Sequence, residues 1–393
     1  MTKYRLEPLA NNVEEMFIGP FGSSLKNDCF VDESEAYCMV YEQKHAIQKN
    51  MNLETRYVNE QKYNELKRFN VKGGDIIVSC RGTIGETYVV PDDAPLGIMH
   101  PSIMKIRLKE GVYDKHYFDL LLKSRLKKHE SEANGSGVKM AISATALGKE
   151  LFPVPSIAEQ NEISKILYTV SDIIAKRTEE LNKFDNLIKA RFVEMFGNPL
   201  DKSKVNSIFT DCVVFNPKKS ELDDLDIDVS FVPMECVGVD GSFTIRETGK
   251  ASDYYKGYTY FKDGDVLLAK ITPCFENGKV AIASGCENGI GFGTTEFHVS
   301  RPKPGVSNSY WIKYMLKNDL VHSLATINMT GSAGQKRIQT PFFEKLKVYL
   351  PPIELQNQFA EFVKQVDKSK VVVQKALDEA QLLFDCLMQE YFG

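Results

Sequence analysis

The chain contains an internal repeat, and the repeat limits what it can fold into. Pro155-Ser156-Ile157-Ala158-Glu159-Gln160-Asn161 aligns with Pro351-Pro352-Ile353-Glu354-Leu355-Gln356-Asn357 at an offset of 196 residues. The same offset, without a gap, lays Glu194-Met195-Phe196-Gly197 on Glu390-Tyr391-Phe392-Gly393, so a segment of about 43 residues occurs twice. Upstream the match is looser. Lys72-Gly73-Gly74-Asp75-Ile76-Ile77 parallels Lys262-Asp263-Gly264-Asp265-Val266-Leu267, and Asn134-Gly135-Ser136-Gly137 parallels Thr330-Gly331-Ser332-Ala333. At about 150 residues per domain, 393 residues accommodate a tandem of two units, each a divergent globular part followed by a similar tail.

The tails read as long helices. In the first, Leu167, Ile174, Leu181, Ile188 and Met195 form one row, and Ile163, Val170, Arg177, Phe184 and Arg191 the other. In the second the rows are Val363, Lys370, Leu377, Phe384, Tyr391 and Phe359, Val366, Val373, Ala380, Leu387. This alternating spacing of three and four is that of a coiled-coil seam. Prolines precede each helix (Pro153, Pro155; Pro351, Pro352), and Gly197-Asn198-Pro199 stops the first. About 38 helical residues run close to 57 Å and need a partner along their length. Each helix either packs on its own globular unit or pairs with the other as a rigid spacer. Sustained heptads favour the pair, antiparallel if the two units are to lie at opposite ends.

The globular parts alternate short β-prone runs with helices. Strands are expected at Asp75–Ser79, Glu86–Val90 and Ile103–Leu108, with helices near Asn59–Phe69 and Tyr113–Lys128. The second unit repeats the order at Asp265–Lys270, Lys279–Ser284 and Glu296–Ser300, with a helix near Ser309–Leu320. The fold class is α+β: a tandem pseudo-two-fold repeat of two globular domains, each a small curved sheet plus helices, joined by two long helices in an antiparallel coiled coil. The boundaries fall at 1–152, 153–197, 198–348 and 349–393.

Composition excludes several classes. A chain 43% hydrophobic and 26% charged is neither disordered nor collagen-like. No run approaches 18 apolar residues, and the N-terminal residues lack the apolar core of a signal peptide. Eight cysteines (29, 38, 80, 212, 236, 274, 286, 386) without a CxxC pair read as reduced thiols of a cytoplasmic protein. Catalytic templates fail in turn. There is no phosphate-binding Gly-x-x-x-x-Gly-Lys-Ser/Thr, and Asn216-Pro217-Lys218-Lys219 lacks the aromatic of an amino-methyltransferase motif. Glu65-Leu66-Lys67 precedes Pro91-Asp92, the wrong order for a metal nuclease. Gly289-Ile290-Gly291-Phe292-Gly293 opens no helix and reads as a turn. The six histidines show no metal-ligand spacing. No catalytic or metal-ligating residue is expected.

What both units carry is glycine-rich loops with hydroxyl and basic side chains. In the first, Gly19–Lys26 offers Ser23, Ser24 and Lys26, Cys80–Gly85 offers Arg81 and Thr83, and Gly135–Lys139 offers Ser136 and Lys139. In the second, Ala269–Lys279 offers Lys270, Thr272, Asn277 and Lys279; Thr294 follows a strand; and Gly331–Arg337 offers Ser332, Gln335, Lys336 and Arg337. Backbone N–H groups, hydroxyls and cations suit phosphate oxygens, while Arg, Lys, Asn and Gln can read base edges. Any one of these loops taken alone reads first as a plain tight turn; their recurrence near strand ends in both units is the functional signal.

Taken in order, these motifs resemble the specificity subunit (HsdS) of type I restriction–modification systems. The likeness is carried by Gly19-Pro20-Phe21-Gly22-Ser23-Ser24-Leu25-Lys26, Gly74–Ser79 with Gly82-Thr83-Ile84-Gly85, Gly257–Lys279, Gly291–Phe297 and the two Pro-x-x-x-x-Gln tails. One departure is Tyr37-Cys38-Met39-Val40-Tyr41, where family members often have a Val-Ile-Arg-like strand before an Asn. The resemblance implies two target recognition domains, each reading one half of a split site on double-stranded DNA. It implies helices that set the gap and dock two methyltransferase subunits, which use S-adenosylmethionine to methylate adenine. Restriction subunits would use ATP and magnesium, in defence against foreign DNA. The chain itself would be non-catalytic and hold no cofactor. Three other readings are a self-contained nuclease or methyltransferase, a coiled-coil adaptor that binds only protein, and the recognition subunit of a related stand-alone adenine methyltransferase.

The net charge of −4 argues at first against a nucleic-acid binder. Divided along the chain, residues 1–150 and 198–350 are each neutral, and the acidic excess lies on the tails. Neutral units imply a weak phosphate grip for the chain alone, strengthened by partner subunits.

Overall fold

The computed structural model describes residues 4–80, 83–136, 143–332 and 334–393, with side chains of the helix ending at Ser136 described as far as Lys127. The chain forms two compact units, one of residues 1–176 with 377–393 and one of residues 177–376. The repeat of the sequence is a repeat of topology. In the first unit, one antiparallel sheet has the order Val13–Ile18, Ile103–Leu108, Ile76–Ser79, Thr87–Val89. In the second, Val213–Phe215, Phe297–Pro302, Val266–Ala269 and Val280–Ile282 take the same order. A second four-stranded sheet also recurs. Tyr57–Val58, Cys38–Tyr41, Gly97–Met99, Asn70–Val71 in the first unit match Glu247–Lys250, Asp228–Val232, Ile290–Gly293, Thr259–Lys262 in the second, each with its middle pair parallel.

The central runs Ile76–Ser79 and Val266–Ala269 are buried throughout, as short, largely apolar runs inside a domain should be. Helix Lys115–Ser136 closes the first core with Tyr117, Phe118, Leu121 and Leu122; helix Ser309–Leu316 closes the second with Trp311, Ile312 and Met315. Each such side chain contributes about 2–3 kcal/mol relative to exposure. Inside each unit one ion pair recurs. Arg107 grips Asp75 through Nε and Nη2 at 2.7 Å each, and Arg301 grips Asp265 in the same way at 2.8 Å each. The aspartates also accept the N–H of Lys72 (3.0 Å) and Lys262 (2.8 Å), closing the turn before each central strand.

Three local expectations are corrected. The helix expected near Ser309–Leu320 is two helices, because Asn318 caps a new one (Asp319–Ile327) by accepting the N–H of Leu320. Gly289–Gly293 is not a turn: Ile290–Gly293 is a strand, and its glycines admit close neighbours, since a Cβ on Gly291 would stand 2.2 Å from the Phe261 ring. Gly135 and Ser136 are not in a loop but in the helix from Lys115, which neither proline nor a β-branched residue interrupts between Leu121 and Ser136.

The tails form helices of 40 residues each, Ile157–Phe196 and Ile353–Phe392, which pack together. All seam positions are buried or half-buried. In the first unit Ile163 and Leu167 share a core with Phe384, Leu387 and Tyr391, beside half-buried Ile174 and Leu377 and buried Val170. In the second, Phe192 and Phe196 meet Phe359 (ring centroids 5.5 and 5.4 Å apart), while Asp185 pairs with Lys370. Rising numbers on one helix meet falling numbers on the other, so the pair is antiparallel. Ile188, Val363 and Val366 are buried in that core, with Phe184 and Met195 packed against it; Val373 is buried and Leu181 half-buried. Both alternatives for the helices hold in part: they pair, and they also complete the globular cores. Two of the charged seam positions form ion pairs along their own helix, Arg177 with Glu180 and Arg191 with Glu194.

Candidate nucleic-acid interface

In the second unit, three loops are stitched together where the central strands end. Beyond Ala269 the backbone N–H of Lys270 donates to the Glu296 carbonyl (2.9 Å), and Ile338 N–H donates to the Lys270 carbonyl (3.0 Å). Thr272 N–H reaches the Lys336 carbonyl at 3.0 Å, and its hydroxyl reaches the same oxygen at 3.3 Å. Thr330 and Arg337 exchange backbone bonds of 3.0 and 2.8 Å across a hairpin. That hairpin turns through Gly331 (φ +126°), where a Cβ would stand 2.8 Å from the Gln335 carbonyl oxygen, so glycine is required.

Lys270, Thr272, Thr294, Ser332, Gln335, Lys336 and Arg337 are thereby brought into one neighbourhood. Their side chains differ in availability. Arg337 is held by Glu296, with Nε 3.1 and 3.0 Å from the two carboxylate oxygens and Nη2 at 2.9 Å from one of them. Its Nη1 donates to the Gln335 carbonyl (3.1 Å). Arg337 thus braces the hairpin, while Ser332, Gln335 and Lys336 are exposed on it. Thr294 accepts the Glu296 N–H (3.2 Å). Beneath the loops His298 is buried, its Nε2 at 2.9 Å from the Ile338 carbonyl oxygen; burial pushes its pKa down to about 4. Two expected residues lie apart. Lys279 donates to the Met234 carbonyl (3.1 Å), and Asn277 lines a cavity of about 510 Å³ with Asp185, Lys189 and His322.

The first unit gathers equivalent loops. Gly19 N–H donates to the Ile103 carbonyl (2.9 Å), and Cys80 N–H donates to the Ser102 carbonyl (2.8 Å), the counterpart of the Lys270–Glu296 bond. His100 Nδ1 lies 2.7 Å from the Ser102 hydroxyl. Ser23, Lys26 and Thr83 are exposed and Ser24 half-buried. Arg81, Lys139 and the side chain of Ser136 lie outside the described residues. Among the described residues no three His, Cys, Asp or Glu side chains come together as a metal site, and no helix is long and apolar enough to cross a membrane.

Sequence reasoning missed the residues that hold the globular parts on their helices. Gln160 is fully buried; its Nε2 donates to the carbonyls of Val112 and Pro155 (2.9 Å each), and its Oε1 accepts the Asp114 N–H (2.8 Å). Gln356 repeats the pattern on Val306 (3.0 Å), Pro351 (2.8 Å) and Asn308 (3.0 Å). The repeated Pro-x-x-x-x-Gln motif was the available signal.

The sequence matches the family described as "Type I restriction modification DNA specificity domain" over residues 24–183 and 212–380. It is 40% identical over 179 residues to the type I restriction enzyme EcoAI specificity subunit of Escherichia coli, a match covering 44% of this chain and 30% of that protein. It is 38% identical over 185 residues to the EcoEI specificity subunit of the same organism, covering 46% and 31%. The matched stretch is thus less than a third of either relative. The fold is similar to that of a solved type I restriction–modification S subunit from M. genitalium, at 13% identity and a TM-score of 0.53, covering 100% of this chain and 96% of that one. A chain from a study of complex assembly and conformational transition in the type I R-M system gives a TM-score of 0.55 at 14% identity, covering 99% and 97%. With two matched segments that together span most of its length, on a duplicated scaffold, the chain belongs to the type I restriction modification DNA specificity domain family.

Proposed function

We propose that this chain is the DNA-reading subunit of a type I restriction–modification complex in the cytoplasm, and that each unit reads one half of a bipartite duplex target. The observation that carries this reading is the recurrence of hydroxyl and cationic side chains on strand-end loops in both copies of one scaffold, joined in the second by the amide of Gln335. Exposed Ser332, Gln335 and Lys336 on a hairpin braced by Arg337 and Glu296 offer a preorganised set of donors to phosphates and base edges. The first unit offers Ser23, Ser24, Lys26 and Thr83. The long helices set the number of base pairs between the halves and dock two methyltransferase subunits, with restriction subunits joining them. Extrusion of the target adenine and transfer of a methyl group to its N6 belong to the methyltransferase partners and their S-adenosylmethionine. ATP and magnesium serve the restriction partners. This chain contributes recognition and geometry.

The test is methylation-motif sequencing in cells carrying this chain with its methyltransferase subunit. Exchanging the hairpin Gly331–Arg337 for that of a homologue is expected to change one half of the motif and preserve the other. Inserting one heptad into Ile157–Phe196 together with one into Ile353–Phe392 is expected to preserve both halves and lengthen the spacer. Unchanged halves after hairpin exchange would overturn the reading of the loops, and an unchanged spacer would overturn the role of the helices.

A further inference from the structure

Phe21 is the most exposed large apolar side chain among the described residues, at 86% of its free area. The fold holds it there from both sides. Before it, Gly19 is bonded to Ile103, and a Cβ on Gly19 would stand 2.3 Å from the His100 carbonyl oxygen. Pro20 is buried. After it the backbone turns at once, Ser24 N–H donating to the Phe21 carbonyl at 2.8 Å. Leu25 is then seated in the cluster of Cys38, Val40, Val58, Tyr63, Leu66 and Ile98. The ring therefore stands in solvent on an anchored base, not on a loose strand end.

An apolar ring kept in water forgoes burial that the rest of the fold exploits. Its neighbours indicate what covers it. Ser23 and Lys26 are exposed beside it, and no side-chain partner for either is found among the described residues. A nucleotide answers both features, with a flat π-face for the ring and a phosphate for the hydroxyl and ammonium. An apolar pocket on a protein would answer only the ring. We propose that Phe21 is a wedge that enters a base step of duplex DNA beside the half-site of the first unit, stacking on a base face while Ser23 and Lys26 hold the adjacent phosphate. The proposal rests on the DNA-recognition reading above. It is asymmetric, because the corresponding strand of the second unit continues into Asn216-Pro217-Lys218 without an aromatic. One chain carries one such wedge.

The experiment uses the full chain with its methyltransferase subunit and a fluorescein-labelled random-sequence duplex, titrated by anisotropy over a salt series. Phe21→Ala is expected to weaken binding about tenfold, as loss of one base–aromatic stack does. The slope of log affinity against log salt is expected to stay unchanged, since no phosphate contact is removed. Phe21→Trp is expected to keep the affinity and report the contact. The chain has one native tryptophan, Trp311, which is fully buried, and subtracting the emission of the wild-type complex leaves the signal of position 21, which should be quenched on saturation with DNA. Wild-type affinity of Phe21→Ala, or unchanged emission of the Phe21→Trp variant at saturation, would overturn the wedge while leaving DNA recognition intact. Normal DNA binding by Phe21→Ala with loss of the methyltransferase subunit on co-purification would also overturn it and make the ring a protein contact. If the wild-type complex binds no duplex, the DNA-recognition reading itself fails and the wedge falls with it.

Discussion

The two units share their interior and differ at their loops. Both have the Arg–Asp clamp under the central strand and the same three-bond glutamine at the helix start. Where the second unit has Glu296 gripping Arg337, the first has Ser102 facing His100. Even the interior differs where a substitution can be absorbed locally. Lys105 is fully buried in the first unit, its Nζ 2.7 Å from both Glu15 and the Asn70 carbonyl oxygen, and the corresponding strand position in the second unit is Val299. Burial raises the cost of ionising Glu15, yet Lys105 and Arg107 hold its pKa below the usual carboxylate value. The comparison separates a scaffold that is kept twice from loop surfaces that have diverged, which is what the proposed reading of two different half-sites would need.

The clamp gives the strongest test of that equivalence. Asp75→Ala leaves Arg107 with Glu15 alone, and Asp265→Ala leaves Arg301 with Glu221 alone. Each also orphans a backbone N–H. Breaking a largely buried pair from one side costs about 3–5 kcal/mol, and the two variants should lose similar amounts in denaturant unfolding. Trp311 emission reports the second unit specifically, because the single tryptophan lies in its core. A loss confined to one variant would break the claim of a shared scaffold.

Acid should then separate the units. His298 stands where the first unit has Met104. Burial holds the folded imidazole at about 4 against an ordinary 6.5, so the unfolded chain binds the proton first. The stability owed to the neutral ring is complete above pH 6.5, falls as pH drops from 6.5 towards 4, and is flat below. The loss is about 3 kcal/mol. His298→Met should remove this slope from the Trp311-monitored unfolding curve. Other titrating groups, such as His45 and Asp240, persist in both proteins and cancel in the difference. A wild-type slope in the variant would mean that the imidazole is not the acid-sensitive group.

A smaller and again symmetric effect is expected at the helix starts. Gln160→Ala and Gln356→Ala each leave a backbone N–H and two carbonyls without their side-chain partner. The cost should be about 2 kcal/mol each in thermal or denaturant unfolding. Unequal values would show that one helix start is held by something besides its glutamine.

The repeat, the helices and their seam were legible because a 3.5-residue period is written in residue type alone. So were the central strands, where β-branched runs such as Ile76-Ile77-Val78 admit few alternatives. The helix break at Asn318 was less visible, because a cap is one polar residue inside an otherwise continuous pattern. Gly291 resembled a turn signal because glycine serves both turns and close packing, and only the neighbouring Phe261 ring decides between them. The site was legible as a set of loops but not as chemistry. That Arg337 is spent on Glu296, some forty residues away in sequence, follows from strand pairing and from no local motif.

That difference frames the smallest expected effect. Lys336 is exposed on the hairpin and Lys26 is exposed on the first unit's loop, whereas the neighbouring Arg337 is engaged. If the two lysines contact phosphate, Lys336→Ala and Lys26→Ala should each weaken binding by the assembled complex modestly and on every sequence. Each should lower the salt slope by about 0.9. Arg337→Ala should act otherwise, because it frees Glu296 and loosens the hairpin that carries Ser332 and Gln335. It should alter which bases are accepted in one half-site, with the salt slope nearly unchanged. Salt-series anisotropy on the methylated motif and on a scrambled duplex distinguishes the two outcomes. Equal slopes for the two lysine variants would mean that both units grip the backbone alike and differ only at base edges. An unaffected slope for either would place that unit's phosphate contacts on other side chains.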